Sequence, residues 1–189
     1  MYILETDRLI LQPFKAEDVG FLDYLHSDMD VMRYTIGRTR SHSENIAYIK
    51  MMQQLYEQRR GHMLVLKKSD KSPIGRCGYC NFLCVNDGEM DWFYFGAPDI
   101  VTKEGDIFEH LELGYSFAKK YWGQGYATEA ASAQKAFGYK ELGLDGFSSL
   151  VVKQNKGSIG VAEKLGVAEI RDCMVFDVPS YDFRNKKDE

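Results

Sequence analysis

Apolar and polar positions alternate with period two from Ile107 to Phe117. One row is Ile107, Glu109, Leu111, Leu113, Tyr115 and Phe117, almost all apolar. The other is Phe108, His110, Glu112, Gly114 and Ser116, mostly small or polar. This pattern predicts a strand with one face in a core. Trp122-Gly123-Gln124-Gly125-Tyr126 follows, with two glycines one residue apart. A helix is predicted from Ala127, with Ala130, Ala131, Gln134 and Phe137 on one side. A glycine turn that opens a helix aims free backbone N–H groups at one point, and the helix dipole favours an anion there. The stretch reads as a phosphate cradle.

The flanking pattern predicts further elements. Residues 6–14 read as a strand, and Ala16 to about Leu25 as a helix with Phe21, Leu22 and Leu25 inward. Residues 27–40 are mixed and hold Arg33, Arg38 and Arg40. Ser41-His42-Ser43-Glu44 has capping-box spacing, and a helix is expected to about Arg60, closed by Gly61. His62–Lys68 and Ile74–Leu83 read as a hairpin around the turn at 69–73. Residues 86–106, which include Asp87, Glu89, Asp91, Asp99, Glu104, Asp106 and the run Trp92–Phe95, read as a long, partly folded loop. Beyond a helix end at Gly143 come a strand at Phe147–Val152 and a helix at Asn155–Leu165 closed by Gly166. A last long strand spans Ala168–Val178, ended by Pro179, and the polar tail from Asn185 reads as frayed. The order gives an α/β layered pattern in one domain, 1–189.

Composition narrows the class. The chain has 189 residues, 44% hydrophobic and 28% charged, as expected for a soluble globule. The net charge of −4 argues against a nucleic-acid partner and suits a cationic substrate as well as plain solubility. No apolar run nears the ~20 residues of a membrane span. Glu5 and Asp7 stand where a signal peptide would need a different pattern. Four cysteines without even spacing suggest a reducing compartment, so the protein is expected in the cytoplasm. Cys77 and Cys80 would fall on opposite faces of a strand and read as buried structural thiols, and no metal site is expected.

The wider wording is more specific. Leu-Glu-Leu-Gly-Tyr at 111–115 and Tyr-Trp-Gly-Gln-Gly-Tyr-Ala-Thr-Glu-Ala at 121–130 resemble the coenzyme A loop of GNAT N-acetyltransferases. The resemblance is to the branch that includes the RimJ/RimL-type ribosomal-protein N-terminal acetyltransferases. The family's Arg/Gln-x-x-Gly-x-Gly/Ala pattern falls on Lys120-Tyr121-Trp122-Gly123-Gln124-Gly125, with lysine in place of the usual first residue. Asn155-Lys156-Gly157-Ser158 and Glu163-Lys164-Leu165-Gly166 resemble its second signature. The resemblance implies the GNAT acyl-CoA N-acyltransferase fold, a mixed, mostly antiparallel central sheet flanked by helices. It implies acetyl-CoA as cosubstrate, held by Leu113, Gly114, Tyr115, Lys120, Trp122, Gly123, Gln124, Gly125, Tyr126, Ala127, Asn155 and Ser158. Asn155 would hold the pantetheine arm, and Ser158 would protonate the departing thiolate. Other branches use a tyrosine four residues before the glycine, which is Ala162 here. Locally, Asn155 and Ser158 also read as a helix cap.

Acetyl transfer needs a group to take the amine's proton. Glu112, on the polar row, is the favoured acceptor, with His110 on the same face; a glutamate paired to a cation on the sheet is the plainer reading. Trp122 also reads as a packing residue behind the loop. The expected reaction is direct attack, in a ternary complex, by a primary amine of a small molecule, polyamine or protein N-terminus. The alternative is a coenzyme A-binding regulatory domain without catalysis. A phosphotransferase is disfavoured, since the loop lacks the P-loop ending and the longer Gly-x-Gly-x-x-Gly fingerprint. Pairing through a surface strand would give a homodimer.

Overall fold

A computed structural model describes residues 2–95 and 101–187. The chain divides into two compact units, residues 1–79 with 114–137, and residues 80–113 with 138–189. It passes between them inside two strands and one helix.

Unit 1 begins with β1 (Leu4–Glu5) and β2 (Leu9–Gln12), α1 (Val19–Ser27) and the single turn α2 (Met29–Met32). Helix α3 (His42–Tyr56) starts at the predicted capping box: Glu44 N–H donates to Ser41 Oγ at 3.3 Å, and Ser41 N–H to Glu44 Oε2 at 2.8 Å. Such a cap contributes about 1 kcal/mol. The helix stops four residues before the expected Arg60. Arg59 takes the left-handed conformation at φ 56°, and Gly61 opens β3 (Gly61–Lys67). Strand β3 pairs antiparallel with the first half of β4 (Pro73–Asn86), Met63 opposite Cys77 and Leu64 opposite Arg76. One face of this pair meets α4 (Tyr126–Glu141), where Tyr79 Oη donates to Gln134 O at 3.1 Å. The other face meets α3, where Tyr48 lies 2.6 Å from His62. With both faces covered, β3 and β4 are apolar in runs rather than alternately. Ala130, Ala131, Gln134 and Phe137 of α4 are buried, as its pattern predicts.

Unit 2 contains the rest of β4, then β5 (Asp91–Tyr94), most of β6 (Asp106–Phe117), β7 (Gly146–Val152), α5 (Lys156–Lys164), β8 (Glu169–Val175) and β9 (Val178–Lys186). Its pairing order is β4–β5–β8–β9–β7–β6; β5–β8 and β6–β7 are parallel. Three expectations fail here. The loop at 86–106 contains strand β5, Leu83 pairing with Tyr94 and Asp91 with Cys173. Asp87 is bound to the Glu89 and Met90 N–H groups and to the Trp92 indole, and Asp91 to Arg184, so these two acids are structural; Asp99 lies outside the described residues. The final strand does not run on to Pro179. The chain turns at Phe176 and Asp177, φ 47° and 62°, and returns as β9, with Pro179 as its second residue. The tail is not frayed from Asn185, which is 2% exposed within β9; residues 188–189 lie outside the described residues. In β6 the apolar row is inward only near its end, since Ile107 is 59% exposed while Leu113 and Phe117 are buried.

Candidate active site

In unit 1, the chain leaves β6 through a 3₁₀ turn at Lys119–Tyr121 and enters α4 through the glycine pair. Gly123 and Gly125 have φ 72° and 81°, left-handed conformations that a side chain resists. The first-turn N–H groups of Tyr126, Ala127 and Thr128 are bonded to nothing among the described residues, and the first α4 bond is Glu129 N–H to Gly125 O at 3.0 Å. This is the uncommitted donor set that an anion at a helix N-terminus requires.

The turn is held by residues that periodicity does not reveal. Arg8 Nη1 donates to Gln124 O at 3.0 Å, its Nε lies 2.6 Å from Glu129 Oε2, and its guanidinium lies 4.5 Å from the centre of the Tyr126 ring. Thr6 Oγ1 and the Arg8 N–H also bind Glu129. Burial alone would raise the Glu129 carboxyl, but the bonds from Thr6 and Arg8 outweigh it and hold it below the ordinary carboxylate range. The only sequence signal was an acid in the first turn of α4, which opposes the dipole's charge. Lys120 is exposed, its Nζ 5.0 Å from the centre of the Tyr121 ring, and its carbonyl accepts from Gln124 Nε2 at 2.9 Å. Trp122 is 47% exposed rather than packed behind the loop, and its indole N–H donates to Phe117 O at 2.7 Å. Of the predicted residues, unit 1 thus carries Gly114, Tyr115, Lys120, Trp122, Gly123, Gln124, Gly125, Tyr126 and Ala127.

Unit 2 carries Glu112, Leu113, Asn155 and Ser158. Glu112 is 8% exposed and sits opposite Ser148 in the parallel pairing of β6 with β7. Ser148 is fully buried, and its Oγ is 2.7 Å from His110 Nε2. Burial, above all, lowers the His110 imidazole below its ordinary value. A carboxylate, an imidazole and a hydroxyl therefore share one stretch of β6–β7. Ser148 escaped the sequence reading, although a serine pair inside an apolar strand was its trace. Leu113 is buried, and its carbonyl accepts from Ser149 Oγ at 3.3 Å. Asn155 caps α5: its Oδ1 accepts from the Ser158 N–H at 3.2 Å, and its Nδ2 donates to Ser158 Oγ at 3.0 Å. Ala162 is fully buried against Val151 and Phe183, where a tyrosine would overpack the core.

The chain is similar to known proteins over most of its length. A family model described as an acetyltransferase (GNAT) domain matches residues 8–168. An uncharacterized protein of Bacillus subtilis, YkkB, is 30% identical over 165 residues, 87% of this chain and 84% of that one. Among solved structures, a GNAT-family acetyltransferase of Bacillus anthracis superimposes with TM-score 0.73 at 20% identity, covering all of both chains. RimL, a ribosomal L7/L12 α-N-protein acetyltransferase solved with coenzyme A, superimposes with TM-score 0.71 at 13% identity over 98% of each chain. The fold is therefore the acyl-CoA N-acyltransferase fold, a mixed sheet flanked by helices.

Proposed function

The chain belongs to the GNAT family of acetyltransferases, which use acetyl-CoA, and on that footing we propose that it acetylates a primary amine by direct attack within a ternary complex. The observation that carries this reading is the set of uncommitted N–H groups at the start of α4, behind two left-handed glycines. Backbone from Gly123 to Ala127 would take the cofactor's phosphates, with Lys120 as a nearby point charge. Backbone at Leu113–Tyr115 would contact the cofactor, with N–H groups near Gly114 and Tyr115 meeting the thioester oxygen, and the side chain of Asn155 would hold the pantetheine arm. Bound acetyl-CoA supplies the activated acyl group. The similarity to RimL supports placement beside the RimJ/RimL-type branch, with residues 1–189 acting as one catalytic domain. No helix among the described residues is long and apolar enough to cross a membrane. The four free, buried cysteines support a cytoplasmic setting.

Proton removal falls to Glu112. A primary aliphatic amine, with a pKa near ~10, is neutral in only about one molecule in a thousand at pH 7. A buried carboxylate that takes the proton, directly or through a water, accelerates such a step ~10²–10⁴-fold. Ser148, opposite Glu112 in the β6–β7 pairing and 2.7 Å from His110, would pass the proton on. Ser158 Oγ would protonate the leaving thiolate. Release of free thiol from acetyl-CoA across a panel of amines and peptides tests the reaction. Glu112→Gln should lower the neutral-pH rate by about 10²-fold or more, with acetyl-CoA affinity kept and the loss shrinking as rising pH deprotonates the amine. A pH–rate profile parallel to that of the wild type removes Glu112 as the base.

A further inference from the structure

The α3 side of the unit 1 sheet encloses two guanidinium groups to which no carboxylate among the described residues is bonded. Arg76 of β4 is 3% exposed, and Arg40, half-buried, ends a largely exposed segment. Both guanidinium groups face the ring of Tyr48, at 4.7 Å for Arg40 and 5.4 Å for Arg76. The fully buried His26 stands edge-on to that ring at 5.6 Å. The neighbouring carboxylates are committed elsewhere. Asp23 binds Asn45 Nδ2 at 2.8 Å and His42 Nδ1 at 2.7 Å. Glu44 binds Arg38 at 2.6 Å and the Ser41 N–H. Neither Arg40 nor Arg76 forms an ion pair among the described residues.

The guanidinium groups meet few acceptors. Arg76 Nη1, 2.8 Å from His62 Nδ1, and the Tyr48 hydroxyl, 2.6 Å from it, converge on one ring nitrogen. Arg76 Nη1 also lies 3.3 Å from His62 Nε2, so a neutral His62 can take one donor from the guanidinium and no more. Arg76 Nε and Arg40 Nη1 are buried and have no hydrogen-bond partner among the described residues. The histidines register the uncompensated field. Burial first, then the charge of Arg76, drives His26 down to about 3, and the same causes, with Arg40, push His62 well below its ordinary value. Buried charge without a counterion is costly and persists where something else supplies the anion.

We propose that Arg40 and Arg76 form the binding site for a carboxylate carried by the acceptor, so that the substrates are amines bearing a carboxylate, in the manner of an amino acid. Each guanidinium keeps a buried N–H donor unmet among the described residues, and charge-assisted bonds from such donors to a carboxylate are among the strong ones. A phosphate monoester presents the same oxyanion chemistry, and the inorganic-phosphate arm of the test below separates it from a carboxylate. Arg40, at the end of the exposed segment, is the outer contact, and Arg76 the inner one. The inference rests on the amine-acetylation reading.

Two measurements on the full chain test it. The first uses matched acceptors, amino acids against their amides, and follows thiol release from acetyl-CoA. The carboxylates should be preferred at least about tenfold in kcat/KM, expressed in KM, because ~1.4 kcal/mol of binding is a factor of ten. The preference should fall close to unity in Arg76→Gln and be partly kept in Arg76→Lys. The second needs no turnover. N-acetyl amino acids should raise the melting temperature of the wild type, whereas their amides and inorganic phosphate should not, and Arg76→Gln should abolish the rise. If Arg76→Gln fails to fold, Arg40→Gln makes the same comparison. Equal turnover of acids and amides, a preference untouched by either substitution, or stabilisation by phosphate alone would overturn the site. Stabilisation by the carboxylates with no acetyl transfer to any amine would instead remove the reaction and leave the site standing.

Discussion

Two helices in this chain begin at sequence signatures of the same family, and their first turns are opposites. At α5 the protein satisfies two of its own first-turn donors: the Ser158 N–H goes to Asn155, and the Lys156 N–H to Gln154 O at 3.0 Å. At α4 no side chain among the described residues bonds the N–H groups of Tyr126, Ala127 or Thr128; Arg8 and Glu129 bind the turn instead. An anion arriving at α4 displaces no protein hydrogen bond, whereas one arriving at α5 must compete with an amide oxygen already in place. The Asn-x-x-Ser run is first a cap, and the Gly-x-Gly run is first an opening.

The largest effect expected from this contrast is in rate. The α5 cap uses the Ser158 backbone N–H, so Ser158→Ala should leave stability within about 0.5 kcal/mol. If its hydroxyl supplies the leaving-group proton, turnover falls by ~10²-fold or more at unchanged acetyl-CoA affinity. Full activity where chemistry limits turnover would reduce Ser158 to a capping partner. Next comes Gly125→Val. A β-branched side chain at φ 81° carries roughly 1–3 kcal/mol of strain and its Cβ meets Arg8 Nη2 at 3.4 Å. Acetyl-CoA affinity should drop about ten- to hundredfold by calorimetry. Unchanged affinity in a folded variant would erase the distinction at the open end. The smallest effect is Asn155→Ala, which deletes the cap at a cost of about 1 kcal/mol, or a melting point lower by ~2–4 °C. A larger loss of acetyl-CoA affinity than of stability there would show that Asn155 holds the cofactor as well as the helix.

What could be read from sequence was local. Ser41 and Glu44 lie three apart, so their mutual bonds follow from spacing alone, and the α4 face follows from a period of 3.6. The two glycines were legible because only that residue adopts their conformations cheaply. What was missed depends on partners far along the chain. Strand β5 exists because Asp91 and Phe93 meet Cys173 and Val175, an association that its aromatic, acidic wording does not announce. The turn at Phe176–Asp177 lacks the Asn-Gly signature of its backbone type, so one strand was read where there are two. Arg8 reaches Glu129 across 121 positions. The Tyr48–His62–Arg76 group joins a helix and two strands, and no periodicity marks a buried arginine as unpaired.

Strand β9 has a consequence for how the protein is made. It lies between β8 and β7, with Arg184 opposite Ser148, and so supplies the partner that holds the Ser148 strand in register. Synthesis runs from the N-terminus, and the ribosome delivers this strand after every other element of unit 2. A nascent chain stalled before Val178 leaves β7 and β8 with bare edges and Glu112 facing an unanchored neighbour. Unit 1, whose residues end at Phe137, is by then fully synthesised with its glycine turn. The carboxylate–hydroxyl pair is thus held in register only once β9 has been made, and chains that stop before it are predisposed to pair edge to edge rather than to consume acetyl groups.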